Sequence, residues 1–427
     1  MRKIKVLVRR GRYSRRHVTF VCSVFLFGVT CLGLMASVYY GHYDPINLLS
    51  SVEDSIRGQF RRWSPAGYQN IHSRLNTALH EKEGCMACGG SRRKARSSPG
   101  AAAKPSQGAV TPAGTSGWPT CSLRWAAASG AGPAKQLNFS VSVLTTASDL
   151  RPSVFGRLRS HPLPYGWKDV PEETITEAVR LLNDTWSSRL FDRGSQTCVR
   201  CAVVGNSGIL AGSGQGTAID SHHFVFRVNG AVTEGFEKDV GTKTSFYGFS
   251  TNSMKNSLIA YYKDGFRKVP QGQDVHYVFI PAHSRDYLML TAAIRGIPVT
   301  SGPDKGDHPS QYFGTNQGAN HFKILSPEFI KYIKDEFLNS WQMISYPEVY
   351  IPSTGALMLM TALHMCDQVS AYGFITENYK DFSDHYYDAI KQPVELYANH
   401  DILMELKLWA ALHAQKVMQL YQRPSNH

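Results

Sequence analysis

Val18–Tyr40 is a run of 23 residues without a charge, and it constrains this chain more than any other feature. At 1.5 Å per residue a helix of that length crosses a hydrocarbon layer of about 30 Å. Residues 1–17 hold eight Lys/Arg and no acid. Positive charge marks the cytosolic side of a span, so everything after Tyr40 is expected in the lumen. The apolar core of a cleaved signal peptide is only about 7–15 residues, shorter than this run. An uncleaved type II anchor is therefore expected: tail 1–17, anchor 18–40. The tail also explains the charge. Of the net +13, eight charges sit before the anchor, leaving 38 basic against 33 acidic residues in the rest. That placement fits topology, and no nucleic-acid partner is expected.

Residues 41–117 read as a luminal stem. Their second half is rich in Gly, Ala, Ser, Pro and Lys/Arg, a composition that cannot bury enough apolar surface to offset the entropy of ordering. Two sequons, at Asn138 and Asn183, are candidate glycosylation sites in a luminal chain. Of eight cysteines, Cys22 and Cys31 lie in the span, and Cys85 and Cys88 in the stem. Cys121, Cys198, Cys201 and Cys366 belong to the globular part, where four cysteines allow three pairings.

Residues 118–427 are long enough for one large α/β domain. Helices are expected at 174–190, 327–338, 355–366 and 401–421, the third capped by Ser353 or Thr354 and the fourth by Asn399 or Asp401. Strands are expected at 201–204, 224–228, 277–280 and 369–374. This alternation suggests a parallel sheet with crossovers. The glycine loop Gly205–Gly216 follows a strand, where backbone amides can approach a phosphate or ribose. Its spacing at 212, 214 and 216 is G-x-G-x-G, which does not match the dinucleotide fingerprint. The sequence has no GxxxxGK[ST], HExxH or DxD, so no motif argues for a metal or a P-loop. His364 lies in an apolar helix and reads as core.

The stretch Cys201–Phe249 (CAVVGNSGILAGSGQGTAIDSHHFVFRVNG…FYGF) resembles the large motif of the animal sialyltransferases. Pro352–Phe374 resembles their small motif, His385-Tyr386-Tyr387-Asp388 the third, and His400 with Glu405 the very small motif, His-x4-Glu. All four stand in family order. The stretches Met254–Leu258 and Val269–Asp274 are similar to the branch acting on α-N-acetylgalactosaminides through α-2,6 linkages.

The resemblance implies a Rossmann-like, GT-A-like fold and a Golgi enzyme. Its donor would be CMP-Neu5Ac, its partner a mucin-type glycoprotein acceptor, with no cofactor and no metal. It also implies disulfides Cys201–Cys366 and Cys121–Cys198. The chemistry needs a neutral base for the acceptor hydroxyl and a group that stabilises the leaving phosphate. His400, before a helix whose N-terminal dipole disfavours imidazolium, fits the first role, with Glu405 placed to orient it. His385 fits the second, Tyr387 adds a hydroxyl, and Asp388 stands where the family often has Glu. Asn206 and Asn229 match asparagines that bind ribose and phosphate, although Asn229-Gly230 is also a turn signal. Ser207 and Gly208 extend the loop. Ser353, Thr354 and Gly355 offer helix-start amides to a carboxylate or phosphate. Gly373 and Phe374 match residues near cytosine. The competing readings are a sialyltransferase of another linkage, α-2,3 on galactose, and an inactive lectin-like protein. Both histidines are present, which argues against the lectin.

Overall fold

The structure is a computed structural model. It describes residues 123, 132–182, 189–192, 194, 198–315, 318–347, 349–396 and 399–424. The chain divides at Val110: the first unit, Met1–Val110, lies outside the described residues, and the second, Thr111–His427, is compact. The expected anchor and stem, Cys22, Cys31, Cys85, Cys88, Cys121 and the sequon at Asn183 all lie outside the described residues. Among the described residues no helix is long and apolar enough to cross a membrane.

The second unit is built on seven parallel strands: β1 Arg200–Val204, β2 Phe224–Val228, β3 Phe246–Phe249, β4 His276–Phe279, β5 Phe322–Ile324, β6 Gln368–Tyr372 and β7 Gln419–Leu420. Their order is β5-β4-β3-β2-β1-β6-β7. The chain walks outward from β1 to β5, then returns to the far side of β1. The switch point therefore falls between β1 and β6, where open α/β sheets bind ligands beyond the strands' carboxyl ends.

The strands are covered on both faces, which is why they read as short unbroken apolar runs. Cys201, Val203, Phe226, Val228 and Phe246 point into one core, and Ala202, Val204, Val225, Tyr247 and Phe249 into the other. The principal helices are α1 Glu172–Leu181, α2 Thr251–Ala260, α3 Ser284–Arg295, α4 Pro327–Phe337, α5 Trp341–Ser345, α6 Thr354–Met365 and α7 Ile402–Ala414. Helix α6 is apolar on all sides and lies buried across the sheet; a Cβ added to Gly248 of β3 would sit 2.4 Å from Met358. Helix α7 buries Glu405, Leu408, Trp409 and Leu412, one stripe at helical spacing.

Two expected helices are shorter than their sequence pattern. Helix α1 ends where Leu182 turns extended. Helix α7 ends at Ala414 rather than Tyr421. Lys416 takes a left-handed φ of 59° and the Val417 amide returns to the Leu412 carbonyl, closing the helix in the manner of a left-handed cap. The apolar residues beyond it continue as β7 against Ser370 and Ala371. An apolar run of this length fits strand or helix, and its sheet neighbour decides.

Cys201 and Cys366 are joined, as the family resemblance implies. The bond ties the start of β1 to the end of α6. Cys198 is also disulfide-bonded, and its expected partner Cys121 lies outside the described residues. Asn138 is exposed, its Oδ1 accepting from the amide and hydroxyl of Ser140. His364 is buried among Phe139, Phe329 and Tyr332, a core residue as expected.

Candidate active site

The carboxyl ends of β1 and β6 approach with no side chains between them. The Gly205 amide donates to the Tyr372 carbonyl and the Ser207 amide to the Gly373 carbonyl. Gly373 has φ 68°, and a Cβ there would stand 2.6 Å from the Gly205 carbonyl oxygen. Only glycine fits this seam. Asn206 comes next, its Nδ2 donating to the Val228 carbonyl at the end of β2. Asn229, just after β2, has φ 50°, and its Oδ1 is buried without a partner. A buried acceptor left unmet at a crevice suits a ligand donor. The turn reading of Asn229 and the binding reading thus coincide.

The segment Ser383–Asp388 lies over this loop. The Gly208 amide donates to the Ser383 carbonyl, and the Tyr386 amide to the Asn206 carbonyl. Asp388 holds the segment's shape: its Oδ2 accepts from the Ser383 hydroxyl at 2.5 Å and the His385 amide at 2.8 Å. The His385 ring stacks on Tyr387 at 4.9 Å and meets Tyr261 at 4.9 Å. Its Nδ1 faces Asp384 Oδ2 at 3.3 Å and Asp388 Oδ1 at 3.9 Å. Burial pushes the Asp384 carboxyl up. With Nδ1 turned to two carboxylates, Nε2 is the ring atom left to a ligand.

The glycine loop behaves differently from its sequence reading. The amides of Gly212 and Gly214 donate to the two oxygens of Asp239, at 2.7 and 2.8 Å. They are spent inside the protein, and Asn206–Gly208 are the part of the loop at the crevice. Arg423 fixes the loop from the other side, its guanidinium donating to the carbonyls of Ile209 and Ala211. Sequence patterns do not single out Asp239, Arg423, Tyr261 or Ser383, because each matters through a contact far along the chain.

The other cluster gathers at the starts of α6 and α7. Ser353 caps α6 by accepting from the Ala356 amide, and Asp401 caps α7 through the Met404 amide. Thr354 and Gly355 form the first turn of α6, and the Phe374 ring lies 3.5 Å from a Cβ built on Gly355. His400 is largely buried, and its Nδ1 bonds the Ile351 carbonyl at 2.8 Å. A carbonyl only accepts, so Nδ1 carries the proton and Nε2 presents its lone pair. Burial lowers the His400 pKa, which favours the neutral ring.

Glu405 does not orient His400. Its two oxygens take the amide and hydroxyl of Ser353, at 3.0 and 2.7 Å. One turn into α7, it points across to α6 rather than back to the ring. Buried, its carboxyl is pushed up to about 7. The Ile351 amide also donates to the Asn399 carbonyl. Residues 351–353 and 399–405 are therefore stitched into one unit that carries both the base candidate and the start of α6.

A cavity of about 440 Å³ lies at the opposite, amino-terminal edge of the strands, lined by residues such as His223, Lys243, His276 and Lys323. It contains none of the candidate site residues. Among the described residues no group of three or more His, Cys, Asp or Glu is placed to hold a metal.

The seven-stranded parallel sheet, with its Gly/Asn loops gathered at one switch point, is an α/β architecture of the kind that binds ligands beyond its strand ends. Residues 145–417 match the model of glycosyltransferase family 29 (sialyltransferase), and the chain belongs to that family. It is 54% identical over 291 residues to human alpha-N-acetylgalactosaminide alpha-2,6-sialyltransferase 2, covering 67% of this chain and 78% of that protein. To the mouse enzyme of the same name it is 56% identical over 275 residues, covering 63% and 74%. Among solved structures, a mammalian sialyltransferase in complex with Gal-beta-1-3GalNAc-ortho-nitrophenol superposes with a TM-score of 0.51 at 26% identity, covering 71% of this chain and 98% of that one.

Proposed function

We propose that this sialyltransferase transfers Neu5Ac from CMP-Neu5Ac to O6 of GalNAc O-linked to Ser or Thr, with inversion and without a metal. The acceptor class rests on the similarity to the α-2,6 enzymes. The observation that carries the mechanism is the tautomer of His400: Nδ1 bound to the Ile351 carbonyl, Nε2 free to accept.

Sialic acid C2 is a crowded centre bearing a carboxylate, so its bond to the CMP phosphate oxygen breaks ahead of attack. His400 Nε2 takes the O6 proton as the O6–C2 bond forms. The bonding pair leaves with CMP, and His385 donates from Nε2 to the phosphate. Asn206, Ser207, Gly208 and Asn229 hold the ribose and phosphate. Phe374 and Gly373 face cytosine, Tyr387 adds a hydroxyl, and the amides of Thr354 and Gly355 meet the donor's anionic groups. Ser353 acts by capping that helix. The protein works as a type II Golgi membrane enzyme with its second unit in the lumen.

The test is transfer to a GalNAc glycopeptide and to its Galβ1-3GalNAc version, with EDTA present and beside His400→Ala. EDTA-resistant transfer that falls about 10²–10⁴-fold in the variant is expected. Transfer to galactose instead of GalNAc would favour the α-2,3 reading. CMP binding without transfer would favour the lectin.

A further inference from the structure

An aromatic surface precedes, along the chain, the segment that holds the base, and has no part in the chemistry above. Helix α5, Trp341–Ser345, is short and capped by Ser340, whose hydroxyl accepts from the Met343 amide. Met343 alone is buried from it; Trp341 is 67% and Ile344 62% exposed. Tyr346 and Val349 come after it at 46% and 48%. Such large apolar side chains are ordinarily covered, and a run of them marks a contact surface. The rings of Trp341 and Tyr346 pack edge to face at 5.6 Å.

This surface leads into the base. The amides of Val349 and Tyr350 both return to the Tyr346 carbonyl, which folds the segment back on itself. The next residue is Ile351, whose carbonyl holds His400. Leu403, in the first turn of α7, is 44% exposed.

We infer that Trp341 and Tyr346 form the platform on which the polypeptide of the acceptor glycoprotein lies, an inference that rests on the GalNAc-acceptor reading. The geometry of that acceptor gives such a platform a use. O6 must come within hydrogen-bond reach of His400 Nε2, and the same sugar is bonded to a Ser or Thr of the chain. The polypeptide therefore passes over the surface next to His400. Chains dense in O-glycans are rich in Pro, Ser and Thr, uncharged and extended. Proline rings and threonine methyls are the groups that exposed aromatic rings bind best in extended chains.

The experiment compares the full chain with its Trp341→Ala/Tyr346→Ala variant on two acceptors: a Pro/Thr-rich GalNAc glycopeptide, and GalNAc carrying only a benzyl group. In the variant, kcat/KM for the glycopeptide is expected to fall about tenfold or more, through KM. Benzyl-GalNAc and CMP-Neu5Ac kinetics should stay within about twofold. An equal fall on both acceptors would mean that the rings only hold the fold near His400, and would overturn the inference. So would unchanged kinetics. A wild-type chain that uses neither GalNAc acceptor would refute the underlying reading itself, and the wild-type arm alone reveals that.

Discussion

Replacing Glu405 by Gln isolates what it costs to bury a carboxylate between two helices. In the fold this carboxyl titrates at about 7 rather than 4.5, because burial penalises its charged form more than the two Ser353 donors favour it. As the pH rises, the unfolded chain releases this proton first. The stabilising contribution is therefore complete below the ordinary value and is lost as the pH climbs through about 7. The displacement corresponds to a loss of about 3 kcal/mol between pH 4 and pH 8. Glutamine keeps an acceptor for Ser353 and carries no charge. Urea denaturation of wild type and Glu405→Gln at several pH values, taken as a difference, cancels every other titrating group. The wild type should lose about 3 kcal/mol more than the variant across that range. Parallel curves would refute the reasoning: the Ser353 amide and hydroxyl would then hold the carboxylate ionised in spite of its burial.

The pH profile of kcat/KM tests His400 in the same way. Burial lowers its pKa, so the acid limb should fall below the ordinary histidine value of 6.5, and a limb above it would count against His400 as base. Ser353→Ala removes a cap and both uses of the hydroxyl, and should cost about 1–3 kcal/mol in thermal or urea unfolding, with a raised KM for donor. Gly208→Ala places a Cβ 2.3 Å from the Ser383 carbonyl oxygen; it should displace the His385 segment and lower kcat about tenfold or more while circular dichroism is retained. Cys201→Ser opens a loop spanning 165 residues and should cost about 5 kcal/mol, read as a drop in the denaturation midpoint.

Much of the site is legible in the sequence because it sits where strands end. The runs 201–204 and 224–228 are apolar nearly throughout, since both faces of the sheet are covered, and each gives way to Gly or Asn in a turn. Ser353 and Asp401 announce their helices as caps. Strands β3, β5 and β7 do not stand out. They are two to four residues long, and β3 merges with a Tyr/Phe-rich stretch that reads as packing. Glu405 is misleading in sequence because its spacing along α7 suggests the ring of His400, whereas the side chain crosses to another helix. Asp239 draws no attention for the same reason: a carboxylate that occupies the amides of Gly212 and Gly214 is 25 residues away from the latter in sequence.

The Arg423 clamp gives the chain a direction in time. The loop it grips, Ile209 to Ala211, leaves the ribosome more than two hundred residues before the arginine does. The growing polypeptide therefore carries an early glycine loop whose last anchor arrives with the end of the sheet. A stop codon just before 423 would leave every proposed substrate-contacting residue in place and still remove two of the bonds that hold that loop. Truncations at the far end of this chain should therefore lower activity, although no residue assigned to the chemistry is removed.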